Sequence, residues 1–357
     1  MVPKLGQSAA QRSLSLISHA VVASLTLALS REVGAQSVAA GGLHVCLLND
    51  SGVVSCLGSN RFGQLGRKGL PAAPLTEPVS LAIRASAVGA GFRHTCALGE
   101  RGTVLCWGAN DFGQIGQRGS RVVWDPSPVN LPEQAMAIAL GDNHSCALGV
   151  SGLVYCWGDQ WAGAVGTTRE GDSVHDPTLV RAEGRRFSKV FARSQRTCAV
   201  EATTEALWCW GANRAGEVDG VVGRTRRRPV QTGVRAVGNV LLTRTMTCLV
   251  GGVAISCWGS PESSVSLATR PVGAGACPTN PMLGKAQFCF QDPRLVAVNA
   301  VSWCRSTEGS GIECSTDVAP TSLVKVERVG MSDRWGCGIW RNVVRCFGEV
   351  PADITGR

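Results

Sequence analysis

From Thr95 to Trp107, apolar or small residues alternate with others on both sides of Gly99-Glu100-Arg101-Gly102, the pattern of two short strands around a glycine-containing turn. A turn centred on Arg101 sets Cys96 opposite Cys106 and Leu98 opposite Val104. Short apolar runs such as Ala87-Val88-Gly89-Ala90 stand between such hairpins and predict a further strand. The pattern returns with a period of 50 residues: His44-Val45-Cys46 to Cys56-Leu57-Gly58, His94-Thr95-Cys96 to Cys106-Trp107-Gly108, and His144-Ser145-Cys146 to Cys156-Trp157-Gly158. A fixed period of this size means a solenoid, a propeller or an array, whose units bury their apolar faces only against one another.

Self-similarity overrides the two or three globular units that 357 residues would otherwise suggest. The 44 glycines suit turn-rich β structure. A net charge of +9 is modest for this length, and no nucleic-acid partner is expected from it.

Residues 1–35 read as a cleaved secretory signal. Lys4 and Arg12 supply a positive start, Ser13 to Ser30 carry no charge and are mostly apolar, and Val33-Gly34-Ala35 puts small residues before Gln36. The stretch is too interrupted by serine for a permanent span, and no second run of spanning length follows. The expected location is outside the cell or in its envelope, after cleavage.

Export decides what sixteen cysteines mean, since in an oxidising compartment an even number at regular spacing reads as a disulfide framework. They fall into couples: Cys46 with Cys56, Cys96 with Cys106, Cys146 with Cys156, Cys198 with Cys209, Cys248 with Cys257, Cys304 with Cys314, and Cys337 with Cys346. Directly opposed residues of a hairpin are close enough to bridge, so each hairpin can carry its own staple. Cys277 and Cys289 sit outside the repeat frame, in what reads as an insertion at about 260–300 stapled to itself.

Between the hairpins run Asn60-Arg-Phe-Gly-Gln-Leu-Gly66, Asn110-Asp-Phe-Gly-Gln-Ile-Gly116 and Gln160-Trp-Ala-Gly-Ala-Val-Gly166. With the preceding Trp-Gly and the His-x-Cys starts, these residues resemble the repeat of the regulator of chromosome condensation family, most specifically in the first three units. The resemblance implies an all-β fold over 36–357, a seven-bladed β-propeller of four-stranded blades, and the seven cysteine couples agree with that number.

Later units are irregular. The fourth has Arg196 where His is expected and Gly216-Glu-Val-Asp-Gly220 in place of the tight loop. The spacer between Cys314 and Cys337 shrinks to 22 residues, too few for two outer strands and their loop. Only eleven residues follow Cys346, so the last blade must borrow Ser37 to Gly42 or stay incomplete.

Candidate chemistry is sparse. His44, His94 and His144 recur in register and are expected to hydrogen-bond turns, not to converge on a metal. Trp107, Trp157, Trp210 and Trp258 recur after the second cysteine and read as wedges between blades. Trp124 and Trp161 break register on connecting segments and are the aromatic binding candidates. Arg224, Arg226, Arg227 and Arg228 form the densest charge, either a grip for an acidic partner or a solvated loop. No hydrolase elbow, phosphate loop or zinc-protease motif appears, and no metal, cofactor or catalytic residue is expected.

The expected function is that of a secreted, monomeric scaffold that binds another protein through rim loops. Alternatives are inhibition of an exported enzyme such as a β-lactamase, carbohydrate recognition through repeated identical pockets between blades, and an enzyme with polar groups converging at the central channel.

Overall fold

A computed structural model describes residues 35–69, 72–73, 77–167, 173–236, 238–251 and 254–260, then 287–290, 295–298, 303–306, 312–315, 323–326, 328–332, 335–340, 343–348 and 350–355. The expected leader, up to residue 34, and Cys277 lie outside the described residues.

The first sheet comprises β1 (Ala35–Ala40), β2 (His44–Asn49), β3 (Val54–Ser59) and β4 (Ala72–Ala73). The second holds β5 (Ala85–Ala90), β6 (His94–Gly99), β7 (Val104–Ala109) and β8 (Val122–Pro128). The third holds β9 (Ala135–Leu140), β10 (His144–Gly149), β11 (Val154–Asp159) and β12 (Ser173–Leu179). The fourth holds β13 (Phe187–Arg193), β14 (Arg196–Glu201), β15 (Ala206–Gly211) and β16 (Arg226–Arg235). In the fifth are β17 (Asn239–Leu242), β18 (Met246–Gly251), β19 (Ala254–Gly259) and β20 (Gln287–Phe290), and in the sixth β21 (Leu295–Val298), β22 (Trp303–Ser306), β23 (Ile312–Ser315) and β24 (Leu323–Val326). The seventh has β25 (Arg328–Met331), β26 (Trp335–Trp340) and β27 (Val343–Gly348), followed by the short helix α1 (Ala352–Thr355). Each sheet is an antiparallel meander in chain order, and the described strands form seven sheets. The first strands of successive sheets pack on one another from β1 through β17, and β25 packs on β1. The chain is a β-propeller.

Hairpin turns fix the register. Gly52, Gly102 and Gly152 adopt φ of 75°, 78° and 80°, a left-handed conformation that glycine takes without a Cβ clash. Cys96 then faces Cys106 and Leu98 faces Val104. Among the described side chains six disulfides are formed: Cys46–Cys56, Cys96–Cys106, Cys146–Cys156, Cys198–Cys209, Cys248–Cys257 and Cys337–Cys346. Their Cα atoms lie 4.0–4.1 Å apart, the close spacing of a non-hydrogen-bonded pair. Cys304 stands opposite Cys314 in the same register. Closing so short a loop contributes about 2–3 kcal/mol per bridge.

The core lies between sheets. Leu48, Val54, Leu65 and Val79 of the first unit share one cluster with Ala97, Leu105 and Trp107 of the second. Outer strands carry proline at Pro126, Pro128, Pro177 and Pro229, which withholds donors from a free sheet edge.

Two expectations change, and a third is decided. The short spacer after Cys314 does hold two strands, because β24 and β25 are four residues each. Part of the expected insertion belongs to the sheets: β20 pairs with β19, placing Cys289 opposite Ser256, and β21 pairs with β22. Of the two alternatives for the last blade, the incomplete one holds, since β1 pairs along its length with β2 and the described strands of the last sheet take nothing from it. It keeps three strands and closes the ring by packing, with Trp335, Cys337 and Ile354 in one cluster with Ala40, Val45, Leu47 and Leu57.

Candidate functional site

At the first three junctions the inner side is joined by a hydrogen-bond relay. The Thr95 hydroxyl donates to the Gln64 carbonyl at 2.8 Å, so its oxygen is left to accept from His44 Nε2, also at 2.8 Å. The Trp107 indole donates to the same Gln64 carbonyl at 3.0 Å. His94, Ser145, Gln114 and Trp157 repeat the arrangement, as do His144, Thr197, Ala164 and Trp210. The histidines thus bond the hydroxyl of the next sheet through Nε2, which corrects the sequence expectation: each ring packs against the glycine turn before its strand but spends its hydrogen bond across the junction.

These rings are uncharged. Burial pulls His44 and His94 down to about 3 and His144 to about 4, with neighbouring histidines adding to the effect at His94. All four repeated tryptophans are fully buried.

Where the sequence departs from the repeat, other groups take over. Arg196 Nη2 donates to the carbonyls of Thr243 and Met246 at 2.9 and 2.7 Å, still reaching the next sheet. At the closing seam the hydroxyl is replaced by Val45 and the wedge by Leu57, and Trp335, standing where His does elsewhere, donates to the Gly42 carbonyl at 3.2 Å.

The mouth of the central channel is lined by Gly41, Gly91, Gly141 and Arg193, with little open space. A Cβ on any of these three glycines would collide with a histidine ring and the next sheet's carbonyl. Backbone bonds stitch the turns together, Phe92 N to Asp142 O and Asp142 N to Ser194 O, at 2.9 and 2.7 Å. Arg193 reaches from the fourth sheet to the Met331 carbonyl of the seventh at 2.9 Å. Among the described residues no group of three or more His, Cys, Asp or Glu could hold a metal ion.

In a meander the turn after the first strand and the loop after the third fall at the same end. That end carries Arg93, whose guanidinium lies 4.4 Å from the Phe62 ring and 5.6 Å from Phe92. It also carries Trp161, 52% exposed, with the Arg214 guanidinium 5.4 Å from its ring. Arg227 donates to the carbonyls of Gln160 and Trp161 at 3.3 and 3.2 Å, fixing the loop from the neighbouring sheet.

The candidate residues therefore separate. Trp161 and Arg227 meet at the junction of the third and fourth sheets. Trp124 lies elsewhere, on β8 against Gly63 of the first unit, and it is half-buried. Neither tryptophan breaks register: Trp161 aligns with Arg61, Asp111 and Arg214, and Trp124 with His175 and Arg227, which cover Gly113 and Gly163 as Trp124 covers Gly63. The arginine run is no uniform loop, because β16 begins at Arg226. Arg226 pairs with Asp219 at 2.6 Å, Arg224 is exposed in the preceding loop, and Arg228 points to a cleft on the outer side. Phe62, Phe92 and Arg93 carry no signal of their own in the sequence, whereas Arg214 does: the residue after Asn60, Asn110, Gln160 and Asn213 changes chemistry while those four positions stay amide side chains.

Repeated identical pockets, as carbohydrate recognition would require, are not seen at the described junctions. Their outer sides hold Leu81 and Ile83 on the cluster of Leu105, then Tyr155 bonded to Glu133 at 3.1 Å, then Arg185 stacked 4.1 Å from the ring of Trp208. Burial raises the Glu133 pKa, but the bonds from Ser151 and Tyr155 outweigh it and hold the carboxyl below its usual range.

The regulator of chromosome condensation (RCC1) repeat matches residues 35–64, 85–114 and 137–160, and a second description of that repeat matches 101–148. No curated protein matches the chain. Among solved structures, yeast RCC1 (Prp20) bound to Kap60 is similar with a TM-score of 0.52 and 24% identity, covering 59% of this chain and 51% of that one. Prp20p from Saccharomyces cerevisiae, described with its binding to Gsp1p and histones, gives 0.51 and 24%, covering 60% and 53%. Human WBSCR16 gives 0.67 and 18%, covering 90% and 88%. The chain spans about half the length of the two yeast chains. At these identities the likeness is one of fold.

Proposed function

From a chain that carries regulator of chromosome condensation repeats and folds as a β-propeller, we propose an exported scaffold that binds another protein through the loop end at the junction of the third and fourth sheets. The observation that carries this reading is Trp161, exposed, with the Arg214 guanidinium beside its ring and its backbone carbonyl bonded by Arg227. Tryptophan and arginine dominate binding hot spots, and a loop whose backbone is already fixed loses little freedom on binding. Rigidity comes from the disulfides and the buried relay. The disulfides also suit an oxidising compartment, in keeping with cleavage of residues 1–35 as a signal. No helix among the described residues is long and apolar enough to cross a membrane.

The three repeated histidines, which an enzyme at the channel would draw on, are committed to bonds between sheets. Relatives in fold offer a parallel, since Prp20p is described as binding Gsp1p and histones. The test is affinity capture from the exported fraction of producing cells, with wild type beside Trp161→Ala and Arg214→Ala. A stoichiometric protein held by wild type and lost with both variants is expected; the same protein held equally by all three, or none captured, overturns the proposal.

A further inference from the structure

The outer side of the third-to-fourth junction contains a cleft, and its origin is visible in three equivalent connections. The amides of Val79, Val129 and Val180 donate to Val54, Val104 and Val154 at 2.8, 2.9 and 2.9 Å, which aligns the segments that follow. Two residues on stand Leu81, Leu131 and Ala182. Leu81 and Leu131 pack onto the clusters of their junctions, whereas Ala182 removes most of that side chain. The third connection is also one residue longer before it rejoins the next sheet at Phe187. Glu183 takes φ 53°, unusual for a residue with a Cβ, and Gly184 takes 78°, while Arg185 N bonds back to Ala182 O at 3.0 Å. This turn lays Arg185 over Trp208 and leaves the space of the missing leucine open.

The result is a half-open cleft of about 700 Å³ lined by Leu153, Leu179, Trp208, Pro229, Arg181 and Arg228. That volume lies within the range of ligand sites. Leu179, at its wall, is 45% exposed and offers apolar surface to a ligand. Charge around the cleft is unbalanced. Arg185 faces Glu183 at 3.0 Å and Glu201 at 3.6 Å, so those carboxylates are engaged. Arg181 and Arg228 have no ion pair or side-chain hydrogen bond among the described residues, and both are exposed.

We infer that this cleft binds a peptide segment in which an apolar side chain stands beside a carboxylate, the apolar group filling the place of the absent leucine and the carboxylate pairing with Arg181 and Arg228. A sugar fits less well. The walls are aliphatic, and the stacking face of Trp208 is covered by Arg185, so no aromatic platform is presented to a pyranose ring. The outer strands are not the means of recognition either, because Pro177 and Pro229 interrupt their donors. This inference is independent of the loop end proposed above, since Trp161 does not line the cleft.

The test is selection of phage-displayed random dodecapeptides on the folded, disulfide-bonded chain, followed by binding of the enriched synthetic peptides by fluorescence anisotropy. Enriched sequences are expected to pair Asp or Glu with Leu, Ile or Phe, and to bind roughly tenfold more weakly to Arg181→Glu or Arg228→Glu, the loss of about one charge-assisted bond. Ala182→Leu, which restores the residue of the first two junctions, is expected to abolish binding, while Trp161→Ala leaves it unchanged. The two arginine variants change exposed side chains, so they decide the matter even where Ala182→Leu does not fold. Enrichment without acidic residues, no enrichment at all, affinity indifferent to the arginine variants, or binding of a heparin tetrasaccharide in preference to the peptides would each overturn the inference. Loss with Trp161→Ala but not with Ala182→Leu would leave the loop end standing and remove the cleft.

Discussion

On their inner sides the first three junctions hold the same groups, a histidine, a hydroxyl, a loop carbonyl and an indole, whereas on their outer sides Leu81 near Leu105, Glu133 with Tyr155, and Arg185 over Trp208 share no chemistry. The reason is access to water. A buried donor or acceptor without its partner costs about 1–3 kcal/mol, so each member of the relay holds the others in place. At the outer edge solvent takes the place of a lost partner, and the chain has been free to diverge there. The closing seam obeys the same rule from the other side: with Val45 in place of the hydroxyl, the indole of Leu57's position and the histidine are absent together.

Acid breaks the comparison most sharply. The three histidines are neutral in the fold and titrate near 6.5 when unfolded, so below that pH the unfolded chain binds more protons and stability falls as pH falls. The contribution is complete above pH 6.5 and is lost from there down to about 3, the folded value of His44 and His94, with a slope approaching about 4 kcal/mol per pH unit between about 4 and 6. Chemical denaturation at several pH values measures it, and His44→Gln should reduce the slope by about a third. An unchanged slope would mean that the rings carry charge in the fold.

Truncating a wedge comes next. Trp157→Ala opens a cavity in a site with no exposure and removes the bond to Gln114, with an expected cost of about 3–5 kcal/mol in denaturant midpoint. Thr95→Val keeps the shape but takes a partner from His44 and one bond from Gln64, at about 1–3 kcal/mol. On the outer side Arg185→Ala should cost no more than about 1 kcal/mol, since its ion pairs are partly solvated. Equal costs for Thr95→Val and Arg185→Ala would erase the distinction between inner and outer sides.

The hairpins and their cysteine partners are legible because a ten-residue spacing around Gly52, Gly102 and Gly152 leaves one register that puts cysteine opposite cysteine. The relay was within reach too. Thr95, Ser145, Thr197 and Thr247 all stand just before a cysteine, but a hydroxyl there means nothing until the next sheet brings a loop carbonyl to it. The site was harder still. Trp161 and Arg227 are 66 residues apart and meet only because the third loop of one sheet rests on the outer strand of the next. Trp124, equally conspicuous as a sequence feature, sits over a different loop glycine and joins nothing.

Photo-crosslinking compares equivalent loops directly. Benzoylphenylalanine, whose aromatic rings keep the stacking surface that Trp161→Ala removes, is placed by Trp161→benzoylphenylalanine in one protein and by Asp111→benzoylphenylalanine in another, each mixed with the exported fraction of producing cells and irradiated. Binding at the third-to-fourth junction predicts a discrete adduct with a single protein from position 161 and none from position 111. An adduct from 111 alone, the same adduct from both, or none from either would contradict it.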